Sequence, residues 1–390
     1  MNFPRIQDYL KQAEIDGWLL ADFHGRNSVA VAFLGLSGLV TRRSFYFIPR
    51  EGTPTGLVHA VEKDKFDGLP GEIKAYSGYR ELERELAAAL SNCTRVAMEY
   101  SPKGRLPYIG LVDAGTVELI RNLGVEIVSS ADLVASFQAR LSDEQIAAHY
   151  DAAEKVSQVK DSAFAHIAMA LTESKSVTEY DVTRFILDQF EQLGMTTDHP
   201  PICAIDAHAG NPHYEPQADK SATIKRGQLI LIDLWAKVNT SNGVYADITW
   251  MAYAGHQNEI PQRYVDIFAI VMAARDRAVA FLRDNLSRDP VRGAQVDDAC
   301  RAIIEKAGFG DSFVHRTGHS ITSEGHGAGP NIDNLETEDK RLLQPGHLFS
   351  IEPGIYLSDC GFRSEINVLV TEDGPEVTTQ PVQTEILPLF

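Results

Sequence analysis

Hydrophobic positions along the chain follow two different periods. RIQDYLKQAEID (5–16) and ELERELAAALS (81–91) repeat their apolar side chains at helical spacing. WLLADF (18–23), SFYFIP (44–49), GLVHAV (56–61) and RVAMEY (95–100) are short, apolar and rich in β-branched or aromatic residues, which predicts strands. Strands interleaved with helices over 1–138 predict an α/β layer domain. Around 139–145 the pattern changes. Ser142-Asp-Glu-Gln145 has capping-box form and opens a helical stretch over 143–171. A second helix is predicted over 178–193, followed by a glycine suited to a C-terminal cap. The boundary is therefore set just before Ser142, giving domains 1–140 and 141–390.

The second half is doubled. Helices over 143–171 and 178–193 precede strand signals at 200–255, and helices over 262–285 and 295–307 precede strand signals at 312–371. This predicts a helix-helix-sheet unit used twice in pseudo-twofold fashion, with polar residues on the strands of both halves. No residue-level repeat and no low-complexity segment accompanies it.

Composition narrows the function. The 390 residues suffice for two domains, each with its own core, and 44% hydrophobic with 23% charged residues is ordinary for a soluble protein. A formal net charge of −18 repels phosphate backbones and anionic lipid, so neither nucleic acid nor membrane is expected as a partner. No apolar run approaches the ~20 residues that span a bilayer. The opening residues carry an amphipathic helix pattern without the apolar core of a signal peptide. Four scattered cysteines (Cys93, Cys203, Cys300, Cys360) suit a reducing compartment, and the expected localisation is cytoplasmic.

The chemistry concentrates in a few segments. In LILIDLWAKVNTSNGVYADITW (229–250) two strand-like segments flank a Ser-Asn-Gly turn, and each carries one aspartate among apolar neighbours. Asp233, Trp235 and Lys237 share one strand face; Tyr245, Asp247 and Thr249 share another. HRTGHSITSEGHGAG (315–329) adds His315, His319 and His326 in a glycine-rich stretch, LFSIEPGIYL (348–357) adds Glu352, and CGFRSEINVLVT (360–371) adds Glu365 beside Arg363. Singly each has an ordinary structural reading: a turn aspartate, a core histidine, a glutamate paired with Arg363. Together they make four carboxylates and one imidazole, each among apolar residues. Four converging carboxylates repel strongly at low dielectric, and two divalent cations remove that repulsion. An oxygen-rich set with one nitrogen suits Mn²⁺, Co²⁺, Fe²⁺ or Zn²⁺, and a pair ~3.5–4 Å apart can share a nucleophilic hydroxide. GHGAGP (325–330) lacks the Gly-Lys-Ser/Thr and the strand context of a phosphate loop.

In order and context, these five residues resemble the metal ligands of the M24, or pita-bread, metallopeptidases: the segments are ILID, YADIT, HRTGH, IEPGIY and GFRSE with VLVT. That family includes Xaa-Pro dipeptidases (prolidases), aminopeptidase P and methionine aminopeptidase. The resemblance covers about 142–371, and the region before it resembles the creatinase-type N-terminal domain. It implies an α/β protein with a creatinase-like domain followed by a pita-bread catalytic domain. Asp233 would bind one metal and His319 with Glu352 the other, while Asp247 and Glu365 bridge the two. Glu352 would also shuttle a proton. His213 would contact substrate near the scissile bond, His326 would stabilise the tetrahedral intermediate, and His315 and Arg363 would orient ligands and substrate. The implied reaction is metal-dependent hydrolysis of the bond preceding proline, foremost in Xaa-Pro dipeptides and with Mn²⁺, by a homodimer. The alternatives are an aminopeptidase P acting on longer peptides, a non-peptidase member such as a lyase or a hydrolase of a small polar metabolite, and a non-catalytic interaction module.

The sequence also departs from the resembled pattern. Thirteen residues separate Asp233 and Asp247, enlarging the hairpin. Trp235, Trp250, Ser320, Thr322, Gly327 and Ile366 stand at positions where other residue types are usual. Two tryptophans near the metals are expected to reshape the substrate pocket.

Overall fold

The computed structural model describes residues 3–38, 40–137 and 139–390, and the chain divides into two compact units, 1–138 and 139–390. In the first unit the order is α1 (Phe3–Gln12), β1 (Gly17–Asp22), α2 (Ser28–Leu34), β2 (Ser44–Pro49), β3 (Thr55–His59), β4 (Glu72–Tyr76), α3 (Tyr79–Ala89), β5 (Arg95–Met98), α4 (Ala114–Asn122), β6 (Glu126–Ser129) and α5 (Ala131–Phe137). Its single sheet runs β4-β3-β2-β1-β5-β6, with only β1–β2 and β2–β3 antiparallel. The buried Glu99 carboxylate accepts hydrogen bonds from Trp18, Asn27 and Ser130, which joins the strand ends to the loops after them. A cavity of about 710 Å³ opens beside the end of β1, lined among others by Asp22, Arg26 and Arg43. None of the residues singled out above as metal ligands lines it.

The second unit contains α6 (Asp143–Thr172), α7 (Glu179–Gln192), β7 (Met195–Thr196), β8 (Ile202–Ile205), β9 (Leu229–Val238), β10 (Ala246–Tyr253), α8 (Gln262–Asn285), α9 (Gly293–Lys306), β11 (Leu348–Ile351), β12 (Gly354–Tyr356), β13 (Gly361–Arg363), β14 (Ile366–Thr371), β15 (Gly374–Val377) and β16 (Leu387–Pro388). Two helices precede a sheet, and two further helices precede a second set of strands. Both helices of the first pair begin as the sequence requires. Ser142 with Gln145, and Thr178 with Asp181, each close a reciprocal capping box on orphan amides of the first turn. Along α6 the buried positions 149, 152, 153, 156, 159, 160, 163, 164, 167 and 170 keep helical spacing and form one apolar face.

Strands β9 and β10 separate two cores by simple alternation. Ile230, Ile232, Leu234 and Ala236, with Ala246, Ile248 and Ala252, pack against α6 and α7. Leu229, Leu231, Met251 and Tyr253 point the other way, into the core under α8 and α9. Asp233, Asp247 and Thr249 continue that second face, so the aspartates lie on the inner side of the hairpin as a consequence of parity.

Two predictions arise from these contacts. Ile167, fully buried on α6, should cost about 2–5 kcal/mol when cut to Ala, read from the urea midpoint at unchanged m-value. His149, also on α6, donates from Nδ1 to the Tyr245 carbonyl (2.8 Å), with Nε2 2.6 Å from Thr378 Oγ1. Burial lowers its pKa from 6.5 to about 4. A histidine with a depressed folded pKa supplies stability that is complete above the unfolded value and lost as pH falls through the folded one. Stability should therefore drop between pH 6.5 and 4, and His149→Phe should flatten part of that slope in denaturant titrations.

Candidate metal centre

The five candidate ligands come from five separate segments that the sheets of the second unit bring together. Register places Asp233 opposite Thr249, and Asp247 opposite Trp235. Glu352 sits in the turn between β11 and β12, and Glu365 between β13 and β14. His319 lies on an irregular segment held to its neighbours by the isolated bridges Gly318↔Ile332 and Ser320↔Phe349. A Cβ at Gly318 would overlap the Ser350 carbonyl, so glycine is required for His319 to come this close to β11. Asp247, His319 and Glu365 each offer a ligand atom within 4.8 Å of the others, and all three are buried. His319 Nε2 is 3.6 Å from Asp247 and 3.4 Å from Glu352.

The electrostatics do not close without added positive charge. Among the described residues, the guanidinium paired with these four carboxylates is Arg363, whose Nη2 meets Asp233. Full ionisation would leave a net charge of −3 in a buried site. Burial, then the neighbouring Asp233, pushes Asp247 far above the usual carboxylate range. Burial and Asp247 do the same to Glu365, and burial raises Glu352. Asp233 Oδ1 is buried with no hydrogen-bond donor. The His319 Nδ1–H donates to the Ser320 carbonyl (3.3 Å), which turns the Nε2 lone pair towards Asp247 and Glu352. An orphaned acceptor, a lone pair facing carboxylates and a deficit of positive charge all fit divalent cations.

A hydrogen-bonded frame fixes these groups. Arg363 donates from Nε to Thr249 Oγ1 (3.0 Å), from Nη1 to the Tyr356 hydroxyl (3.1 Å), and from Nη2 to Asp233. Thr249 passes the contact on to Glu365 Oε2 (2.9 Å). His315 donates from Nδ1 to the Arg316 carbonyl and accepts from Tyr356 at Nε2, both at 2.7 Å. Burial, then Arg363, lowers its pKa to about 3, so it is a neutral acceptor. Burial pushes the Tyr356 hydroxyl up to about 12, which keeps it a donor. Arg363 thus serves Asp233, where proximity in sequence suggests Glu365. Tyr356, Ser350 and Asn367 had drawn no notice in the sequence. All three lay within segments that had: Ser350 and Tyr356 in LFSIEPGIYL, and Asn367 in CGFRSEINVLVT.

His326 is exposed at the end of its loop, but its ring centroid lies 4.2 Å from that of His319. That neighbour, then burial, lowers its pKa to about 3. His213 is exposed. Its segment is tied to the buried Glu179, which accepts from the Tyr214 hydroxyl (2.7 Å) and the Ala222 amide (2.9 Å).

The departures from the resembled pattern separate into three kinds. Trp250 does not reshape the pocket as expected: its even parity turns it to the helix side, where the Lys160 ammonium sits 3.7 Å from its ring. Trp235 does lie on the inner face. Ser320, Thr322 and Gly327 form one packing solution, since a Cβ at 327 would stand 2.8 Å from Thr322 and 3.1 Å from the Ser320 hydroxyl.

Residues 151–372 match metallopeptidase family M24, and the chain belongs to that family. It is 31% identical over 228 residues, 58% of its length, to a Xaa-Pro dipeptidase of Pyrococcus furiosus. Alignments with the curated relatives it matches reach 53–65% of their own lengths. Among solved structures, the dipeptidase PepE of Mycobacterium ulcerans superposes with a TM-score of 0.75 at 22% identity, covering 99% of this chain and 97% of that one. A dipeptidase of Pyrococcus horikoshii OT3 gives 0.69 at 23% identity, with both chains fully covered. These likenesses establish the pita-bread fold for the doubled second half.

Lysine cannot reproduce the three-way fork of Arg363. Arg363→Lys should therefore weaken divalent-metal affinity by about 10–100-fold, measured by calorimetric titration of the metal-stripped protein, with the thermal midpoint showing that the fold is kept.

Proposed function

We propose that the protein hydrolyses the peptide bond preceding proline, foremost in Xaa-Pro dipeptides, with two divalent ions of which Mn²⁺ is the first candidate. The observation that carries this reading is the convergence of Asp247, His319 and Glu365 within 4.8 Å, with Asp233 and Glu352 adjoining, in a chain of family M24. Asp233 would hold one ion, His319 and Glu352 the other, and Asp247 and Glu365 would be shared. When bound, the ions supply the positive charge that polarises a carbonyl and makes water nucleophilic at neutral pH.

The chain's own groups do the rest. Glu352 accepts from Ser350 Oγ (3.0 Å), which holds its carboxylate where it would take a proton from the attacking water and return it to the leaving nitrogen. His326 would donate to the oxyanion of the tetrahedral intermediate, and His213 would contact substrate near the scissile bond. His315, Tyr356 and Arg363 hold Asp233 in place. The reading includes a creatinase-like N-terminal domain (1–140) ahead of the catalytic domain (141–390) and a homodimer. It also includes a cytoplasmic setting, in which the four free cysteines stay reduced.

Chelator-stripped protein should be silent on a panel of Xaa-Pro dipeptides and regain cleavage when Mn²⁺ is added. Asp233→Ala and Glu365→Ala should lose metal and activity together. Full activity of either variant with no metal bound overturns the reading. Cleavage of Xaa-Pro-Xaa tripeptides but not dipeptides replaces it with an aminopeptidase P.

A further inference from the structure

The inner face of β9 does not end at Asp233. Trp235 is the next residue on that face, roughly 6.6 Å further along the strand, and it stands opposite Asp247 in register. Its indole Nε1 donates to Asp198 Oδ1 (3.0 Å), which fixes a carboxylate against the ring edge. The loop carrying His326 passes directly over the pair: a Cβ at Gly325 would lie 3.8 Å from Asp198 Oδ2 and 4.0 Å from the indole. The negative charge of Asp198 reaches both Asp247 and His326. The carboxylate is therefore beside the reacting centre without belonging to the ligand set.

Asp198 is also ionised and open. Partial burial raises its pKa, but the Trp235 N–H, its own amide and His199 outweigh this and hold it below the usual range. Its side chain is 45% exposed, and Oδ2 makes no hydrogen bond among the described residues. The ion-pair contact it makes there is with exposed His199, 3.5 Å from Oδ1. Lys237, the next residue on the face, directs its ammonium to the Ser323 carbonyl (2.5 Å) and the Tyr245 ring instead. A fixed, ionised carboxylate with one oxygen open is a receptor for a cation through its charge. The Trp235 that fixes it lies one place beyond Asp233 on this face, so a cation that meets Asp198 from the ligand cluster sits at the end of a long side chain rather than on the scissile residue's own backbone.

We propose that Asp198 and Trp235 select a lysine or arginine as the residue ahead of the scissile bond, which makes basic Xaa-Pro dipeptides the preferred substrates. This rests on the reading of the site as an Xaa-Pro dipeptidase. The two acidic and aromatic groups determine specificity; the bond cleavage itself stays with the ligand cluster.

The test compares kcat/KM of the Mn²⁺-loaded full-length protein on Lys-Pro, Arg-Pro, norleucine-Pro and Glu-Pro, all of which carry the same α-ammonium. Lys-Pro should exceed norleucine-Pro on the order of tenfold, with Glu-Pro lowest. Asp198→Asn keeps an acceptor for the indole and should bring the Lys-Pro to norleucine-Pro ratio close to one. Asp198→Lys should move the preference towards Glu-Pro, and melting curves of both variants establish that they fold. Equal rates on Lys-Pro and norleucine-Pro, or a ratio that survives Asp198→Asn, overturn the assignment while leaving the dipeptidase reading intact. Silence on every dipeptide overturns both.

Discussion

Four carboxylates buried around one guanidinium is the arrangement on which the rest of the second unit depends. Such a cluster is unstable by itself, because desolvation and mutual repulsion both act against the charged forms. It persists because apolar packing on both sides of the β9–β10 hairpin fixes the backbones that carry it. The alternating residues of these two strands insert into separate cores under α6/α7 and α8/α9. The strands cannot shift by one residue to relieve the repulsion without turning every apolar side chain to the wrong core.

Backbone clamps then set the spacing of the acids. Asn367 accepts from the Asp247 amide (2.9 Å) and donates to the Asp247 carbonyl (2.8 Å), so one side chain two residues after Glu365 fixes the peptide of Asp247. Arg275, buried on α8, donates to Ser364 Oγ (2.7 Å) and the Gln383 carbonyl (2.8 Å), holding the segment between Arg363 and Glu365. Asp297 on α9 receives the Thr317 hydroxyl (2.5 Å) and the Asn334 amide (2.7 Å), which anchors the approach to His319. Each clamp ties a helix or strand of one segment to the backbone or a side chain at or near a candidate ligand on another. The acids are thus positioned largely by contacts made around them, with the Arg363–Asp233 pair added at the centre.

Much of the second half was legible in the sequence. The helix predicted over 262–285 spans those residues, that over 143–171 stops one residue short, and that over 178–193 is one residue too long at each end, because long amphipathic periods and capping boxes are local signals. In the first half, SFYFIP matches β2 residue for residue, whereas β4, α2, α4, β6 and α5 drew no expectation. These are elements of four to nine residues, too short for periodicity to separate them from loops. Trp250 shows a different failure: its parity relative to Asp247 was readable, but proximity in sequence was taken for proximity in space.

The sequence by itself determined the types of chemistry and the faces on which they lie. Acid, imidazole and apolar residues alternate with the period of the elements that carry them, and that is a local property. Tertiary structure alone decided which groups meet. Arg363 serves Asp233, 130 residues away, rather than its neighbour Glu365. Tyr356 joins His315 to Arg363, and Trp235 turns to Asp198 while Trp250 turns to Lys160. Such pairings depend on strand register and on which sheet edge faces which. Those are set by the packing of the whole unit, and no stretch of sequence shorter than it contains them.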